Sequence, residues 1–437
     1  MKSIYKLISV SLVLALTLFI GCEDRSELNA PAPPNTGSVS FERFVTLGNS
    51  LTAGYQSSSL FQSAQVYSFG AQIAKLVDVK YEQAYMSDPG SGGRIEVGSL
   101  SPFSLKVNSG KGAPVNLNYA APYNNLGVPG AFVYDILNAK SSLTCYTAKA
   151  GQPNPLFDVV LRGQGSEFQQ AKAQKPTLLS CWIGANDVLG YATSGGVNPL
   201  TDAATFGFLY NQLADSLASL KTKVIVANIP SVTSIPFFTT IPAALKDPAS
   251  GAIITLYGQT TTGIRALVPG QDLLTLPASS ILLNASGAPT GVGLSPSNSI
   301  PNQFVLDKDE VSKVQTAIST FNGIIQAAAT AKNFVLVDFN SFFNNVAANG
   351  LNVDGLHLTT AFATGGLFSL DGVHPTNTGY AVVANEYIKK INEKLGGTIP
   401  TINVSTVPGS IILLKQVRIS KYEIPIIPKG SLDHVLF

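Results

Sequence analysis

The segment Gly48-Asn49-Ser50-Leu51-Thr52-Ala53-Gly54 follows a short apolar run, Phe44 to Leu47, and is expected to lead into a helix. A serine at such a junction can cap the helix through its side-chain oxygen. It can equally stand exposed at the carboxyl end of a sheet, where α/β folds place their sites. Spacing alone leaves both open. Further along, Gly184-Ala185-Asn186-Asp187 closes a second apolar run, and the pattern Asp-x-x-His occurs twice, as Asp354-Gly355-Leu356-His357 and as Asp371-Gly372-Val373-His374. The third histidine, His434, lies close to the end and is expected at the surface. No cluster has metal-ligand spacing, so the chemistry on offer is that of hydroxyl, imidazole, carboxylate and amide, with no metal and no cofactor.

Each of these motifs is weak alone, because a glycine pair or a Gly-x-Asn-Asp usually marks a turn. Together, and with Leu126-Gly127-Val128-Pro129-Gly130-Ala131 between the first and the third, they resemble in order the four blocks of the SGNH (GDSL-type) serine hydrolases. The resemblance covers about residues 41–395 and implies a flavodoxin-like, parallel five-stranded sheet. It implies Ser50 as nucleophile, His374 as general base and Asp371 as the group that holds the imidazole tautomer. It further implies an oxyanion hole made of the Ser50 and Gly130 N–H groups and the Asn186 side-chain amide. Position 49 departs from the pattern, with Asn where the family has Asp; that residue mainly supports the loop, and an amide can replace part of its hydrogen bonding. Of the two Asp-x-x-His loops, Asp371/His374 fits the last block. Pro375-Thr376-Asn377-Thr378-Gly379-Tyr380 and a long amphipathic segment follow it, whereas His357 runs into Leu358-Thr359-Thr360 and a glycine pair. His357 is then a loop residue near the site mouth, and Asp187 a cap or a second orienting group.

Such residues need a scaffold, and the chain alternates strand-like with helix-like segments, which favours a parallel sheet. Phe44 to Leu47, Thr177 to Ile183, Val224 to Ile229 and Phe334 to Phe339 are continuous apolar runs suited to strands buried on both faces. Thr205 to Leu220, Glu310 to Ala329 and Thr378 to Leu395 carry apolar residues at helical spacing. The expected fold is α/β, a three-layer α/β/α sandwich with a parallel central sheet and long insertions, at roughly 86–120, 140–172 and 231–303. The last is rich in Pro, Thr, Leu and Ile and is expected to pack on the body as a cap. Beyond Gly397 the tail reads as β-like, through Ile411 to Leu414 and Glu423 to Ile427.

The ends and the composition narrow the setting. Lys2 and Lys6 precede an apolar run, Leu7 to Ile20, that stops at Gly21-Cys22, the layout of a secretory signal with a lipobox-like end. Residues 1–21 are expected to be removed, Cys22 to carry lipid, and 22–40 to form a flexible tether before a hydrolase domain at 41–397 and a tail at 398–437. Without the two signal lysines the 28 basic residues fall to 26, against 26 acidic ones, and this near-zero charge argues against nucleic-acid binding. Cys181 sits in a strand-like run, so it and Cys145 are expected to be free thiols. The function expected is a carboxylester hydrolase of the bacterial cell envelope, an esterase or lipase for apolar acyl esters, with the membrane as partner through the lipidated N-terminus. A glycan O-acetyl esterase and an inactive, ligand-binding surface lipoprotein are the alternatives.

Overall fold

The computed structural model describes residues 34–409, 419–433 and 435. The apolar run 7–20, Cys22, the first part of the tether, Ile411 to Leu414 and His434 lie outside the described residues. Four short segments pair side by side and parallel, β1 (Phe44–Gly48), β2 (Leu178–Trp182), β3 (Lys223–Ala227) and β4 (Val335–Val337), in that spatial order. The expectation of five strands is corrected in form. At the free edge of β1 the stretch Asn124 to Val128 runs parallel to it without forming a regular strand. Thr46 N–H donates to Asn124 O, Leu126 N–H to Thr46 O and Val128 N–H to Gly48 O, at 2.9, 2.9 and 3.0 Å. Counting that stretch second in the chain, the spatial order is 2-1-3-4-5, the flavodoxin-like one, whose direction of winding reverses at β1.

The helices that build the layers and the site are α1 (Ser50–Ala53), α2 (Phe69–Leu76), α3 (Val133–Asn138), α4 (Glu167–Gln174), α5 (Asn186–Thr193), α6 (Ala203–Ser219), α7 (Lys308–Lys332), α8 (Phe339–Asn349) and α9 (Asn377–Leu395). The strands are apolar throughout because both of their faces are covered. Successive side chains point to opposite faces. Phe44, Leu178, Trp182 and Ile225 therefore pack with Phe69 of α2 and with Tyr380, Val383 and Tyr387 of α9. Val45, Leu47, Leu179 and Val226 pack with Val133 of α3, Ala171 of α4, Phe206 of α6 and Phe321 of α7. Phe206 and Phe321 stack with centroids 3.9 Å apart, and burying two such rings stabilises the fold by about 3–6 kcal/mol.

The segment 231–303 has no core of its own. It carries the short hairpins Ala244–Lys246/Ile253–Thr255 and Tyr257–Thr260/Gly263–Ala266, and it buries Phe237, Phe238, Leu245, Leu256, Leu274 and Leu276 in the same cluster as α3 and α7. In the tail, Ile426 lies along the edge of the hairpin Arg94–Leu100/Phe103–Asn108, where its N–H donates to Phe103 O and its carbonyl accepts from Leu105 N–H, at 3.1 and 3.0 Å. Residues 35–38 touch the end of α9, through Ser38 N–H to Leu395 O and Thr398 N–H to Asn35 O, both 2.8 Å. Cys145 and Cys181 are both free and buried. Among the described residues no helix is long and apolar enough to cross a membrane.

Candidate active site

Three neighbouring chain segments end at one place. β1 leads to Ser50, β2 leads to Asn186, and the Asn124 to Val128 edge leads to Gly130, so the candidates straddle the point where the sheet reverses its winding. The turn after β1 is sharp. Gly48 has φ +149°, and a Cβ on it would meet Trp182 O at 2.3 Å and the Thr52 hydroxyl at 2.4 Å, so only glycine fits the approach of β1 to β2. Asn49 caps α1, its Oδ1 accepting from Leu51 N–H at 3.0 Å. That is the support a carboxylate would give, and it accounts for the amide standing where the family pattern has Asp. The second amide hydrogen set is less well served, since Asn49 Nδ2 is buried with no hydrogen-bond partner among the described residues.

The other half of the site is the loop before α9. Gly372 adopts φ +72°, and a Cβ there would lie 2.9 Å from Phe237 N and 3.1 Å from a Leu276 methyl, so the 231–303 segment packs directly on this turn. Phe237 N–H also donates to Gly372 O at 2.9 Å. The turn curls the Asp371 carboxylate over its own loop. Oδ1 accepts from Val373 N–H at 2.9 Å and His374 N–H at 2.8 Å, while Oδ2 accepts from Ser58 N–H at 2.9 Å. Oδ2 also lies 3.0 Å from His374 Nδ1, and His374 Nε2 lies 2.9 Å from Ser50 Oγ. With Nδ1 protonated, the ring donates to Asp371 and accepts the Ser50 O–H, a hydroxyl–imidazole–carboxylate relay. Asp371 is fully buried; burial opposes its charge, yet the His374 imidazole and the hydrogen bonds from His374 and Ser58 hold the carboxyl below its ordinary value. Tyr55 stands edge-on to the imidazole, with ring centroids 4.9 Å apart, and fixes its plane.

Asn186 opens α5, and its Nδ2 donates to Ala131 O at 2.8 Å, which ties the loop after β2 to the loop carrying Gly130. An amide nitrogen has two hydrogens. Asn186, Ser50 and His374 all line one cavity, whereas Gly130, with φ +82°, sits one residue from the Asn186 acceptor and does not line it. Ser50 is the first residue of α1, and helix geometry leaves its N–H without an intrahelical acceptor. The cavity offers only about 60 Å³ to water-sized groups and is walled by Leu189, Val232, Ile235, Phe343, Phe368 and Val373.

The second Asp-x-x-His is a β-hairpin turn. Val353 pairs with Leu356, Asp354 and Gly355 take left-handed φ of 49° and 78°, and His357 faces Asn352 on the neighbouring strand, with Nδ1 2.8 Å from its Oδ1. Asp354 is occupied too, its Oδ2 accepting from Val404 N–H at 2.7 Å. Neither residue lines the cavity.

Three buried acids lie beneath the site, and sequence reasoning singled out Asp187 alone, missing Glu167 and Asp135. Glu167 of α4 is fully buried and accepts from Gly48 N–H at 2.9 Å. Asp187 accepts from Val133 N–H at 3.1 Å and the Thr201 hydroxyl at 3.2 Å, and Asp135 from Phe132 N–H at 2.8 Å and Tyr146 N–H at 2.7 Å. Asp187 therefore ties α5 to α3 and does not cap its own helix in the way Asn49 does. Burial pushes the Asp135 and Asp187 carboxyls up to about 7 and raises Glu167 well above the usual range, with Asp135 adding repulsion to the other two. The only sign of Glu167 in the sequence is an acid in the first turn of a helix, which ordinarily reads as a dipole partner. Among the described residues no group of three or more His, Cys, Asp or Glu is placed to hold a metal ion.

Residues 44–387 match the model of the GDSL-like lipase/acylhydrolase family. No curated protein sequence shows significant similarity to the chain. Among solved structures, Axe2, an acetylxylan esterase from Geobacillus stearothermophilus, aligns at 14% identity over 81% of this chain and 96% of its own, with TM-score 0.37. LAE5, an alpha/beta hydrolase enzyme from the metagenome of Lake Arreo, aligns at 11% identity over 81% of this chain and 96% of its own, with TM-score 0.35.

Proposed function

The chain belongs to the GDSL-like lipase/acylhydrolase family, and on that premise we propose that it hydrolyses carboxylic esters through an acyl-enzyme on Ser50. In this reading Ser50 Oγ attacks the ester carbonyl carbon while its proton passes to His374 Nε2. The tetrahedral oxyanion is received by the Ser50 N–H group and the Asn186 amide, the expected donors whose residues line the cavity, and His374 returns the proton to the departing alcohol oxygen. Water then repeats the sequence on the acyl-Ser50 ester, and the acid leaves. Asp371 holds the imidazole and offsets the charge it gains. The observation that carries this reading is the continuous chain from Ser50 Oγ through His374 to Asp371, at 2.9 and 3.0 Å, opening into a cavity.

The cavity lining supports a narrower reading of the substrate. Its walls are apolar, so the acyl group rather than the alcohol sits there. At about 60 Å³ it holds the equivalent of roughly four or five waters, which favours short acyl groups over long chains. The envelope setting is part of the same proposal: the signal-like start and Cys22 support export and lipid anchoring. A series of 4-nitrophenyl esters from acetate to laurate tests the reading. Turnover is expected to be highest at acetate to butyrate and absent in Ser50→Ala; equal turnover by the variant removes Ser50 from the chemistry.

A further inference from the structure

Next to the narrow cavity lies a second, larger cleft of about 470 Å³, and the two share Ser231 and Ser234. Its walls come from three places far apart in the sequence: the end of β3 at Asn228, the flank of α7 at Gln315, Ser319 and Asn322, and the first turns of α8 at Asn340 and Asn344. Every residue that lines it except Ile318 carries an amide, hydroxyl or carboxylate side chain. Such a lining is the opposite of the acyl cavity beside it.

The polar wall is fixed before anything binds. The Asn322 amide brackets Ile229, accepting from its N–H at 2.8 Å and donating to its carbonyl at 2.9 Å. Asn340 Nδ2 donates to the same carbonyl at 2.9 Å, and its backbone N–H donates to Asn228 Oδ1 at 2.9 Å. Asn228 Nδ2 in turn donates to Asp338 at 2.6 Å, and Asp338 also accepts from the Ser341 hydroxyl at 2.7 Å. Gln315 and Asn344 stand exposed at the rim, and Asn344 donates to Asn340 Oδ1 at 3.2 Å. A network of this kind holds its remaining donors and acceptors at set positions, which lowers the cost of ordering them around a ligand.

The chemistry of the lining selects the ligand. An acyl chain gains nothing there, since burying apolar groups needs apolar walls. A phosphate or carboxylate meets no cation among the lining residues, and Asp338 would repel it. What fits is a neutral molecule with many groups that both donate and accept, and each side-chain amide offers both functions in one plane. We propose that this cleft seats the alcohol half of the substrate and that this half is polyhydroxylated, a sugar unit of an acylated glycan. The ester bond then spans the Ser231/Ser234 boundary, with the acyl group in the apolar cavity and the sugar in the polar cleft. The proposal rests on the ester-hydrolase reading above.

The test is the double variant Gln315→Leu/Asn344→Leu, whose positions are exposed on helix surfaces and lie outside the catalytic relay. The probes are 4-nitrophenyl acetate, a panel of O-acetylated pentose and hexose oligosaccharides, and the same oligosaccharides without acetyl groups. The variant is expected to lose at least about tenfold in kcat/KM on the best acetylated oligosaccharide, mainly through KM, and to stay within about twofold on 4-nitrophenyl acetate. Calorimetry on the unacetylated oligosaccharides reads the cleft without turnover: binding by the wild type that is lost in the variant supports it. Equal losses on both kinds of ester, no loss on either, or oligosaccharide binding unchanged by the substitutions overturns it. If the wild type fails to hydrolyse 4-nitrophenyl acetate yet its oligosaccharide binding is lost in the variant, the esterase reading falls and the cleft assignment stands.

Discussion

The Glu167 carboxyl and the Gly48 N–H are 119 positions apart in sequence and 2.9 Å apart in space, two residues before Ser50. The contact anchors the turn that presents the candidate nucleophile. Because burial raises the Glu167 carboxyl well above its ordinary value, its neutral form is favoured, and glutamine is the close isostere of that form. Glu167→Gln is therefore expected to keep near-native melting and turnover. Glu167→Leu strands a buried N–H, costs about 1–3 kcal/mol in chemical denaturation and lowers kcat more than KM as the turn shifts. Equal behaviour of the two variants would show that the hydrogen bond has no role.

Asp187 gives a pH test. Its folded-state carboxyl is raised from 3.8 to about 7 by burial first. A raised carboxyl adds stability that is fully present below the unfolded value and lost as pH rises through the folded one. Between about pH 4 and 7 the wild type should therefore lose stability from this group, and Asp187→Asn, which cannot ionise, should show a flatter profile. Melting temperatures of both proteins across that range check it; a variant profile as steep as the wild type's contradicts it.

How much of this was readable beforehand depends on where the information sits in the chain. Ser50, Asn186, Asp371 and His374 fall inside short motifs, so their residue types and order identify them without any knowledge of contacts. The buried strands and the helices α6, α7 and α9 were legible for a similar reason, since hydrophobic period is a local property. Glu167 was not, because α4 lies in a stretch that breaks the strand–helix alternation and its partner is far away in sequence. The Asn124 to Val128 edge was also hidden: Asn-Asn-Leu-Gly-Val carries a β-branched residue only at its end, and its partners, β1 and the stretch at Gln83, are far away in sequence. The polar cleft draws on residues from 228 to 344 and has no motif.

The two Asp-x-x-His loops separate cleanly by geometry. His357 is on a hairpin facing Asn352, so His357→Ala is expected to change turnover by no more than about twofold and stability by about 0.5 kcal/mol or less. His374→Ala should lower turnover by a factor on the order of 10⁴ to 10⁶. Steady-state kinetics on 4-nitrophenyl acetate decides between them, and a severe loss in His357→Ala would reassign the base.

The walls of the acyl cavity make a size prediction. Val232 is buried against it, and Val232→Ala should raise kcat/KM for hexanoate relative to acetate by about tenfold, because one or two methylenes in an apolar pocket are worth that much discrimination. An unchanged acyl-length profile would place the acyl group elsewhere.

The central claim is that Ser50 is the residue that becomes acylated. A fluorophosphonate phosphonylates an activated serine hydroxyl with loss of fluoride, and peptide mass spectrometry locates the adduct. The account predicts one adduct, on the peptide containing Ser50, that is lost in Ser50→Ala, which melts near the wild-type temperature, and strongly slowed in His374→Ala, measured below that variant's own melting temperature. An adduct on any other residue of the folded wild type, or labelling of Ser50→Ala at the wild-type rate, would contradict it.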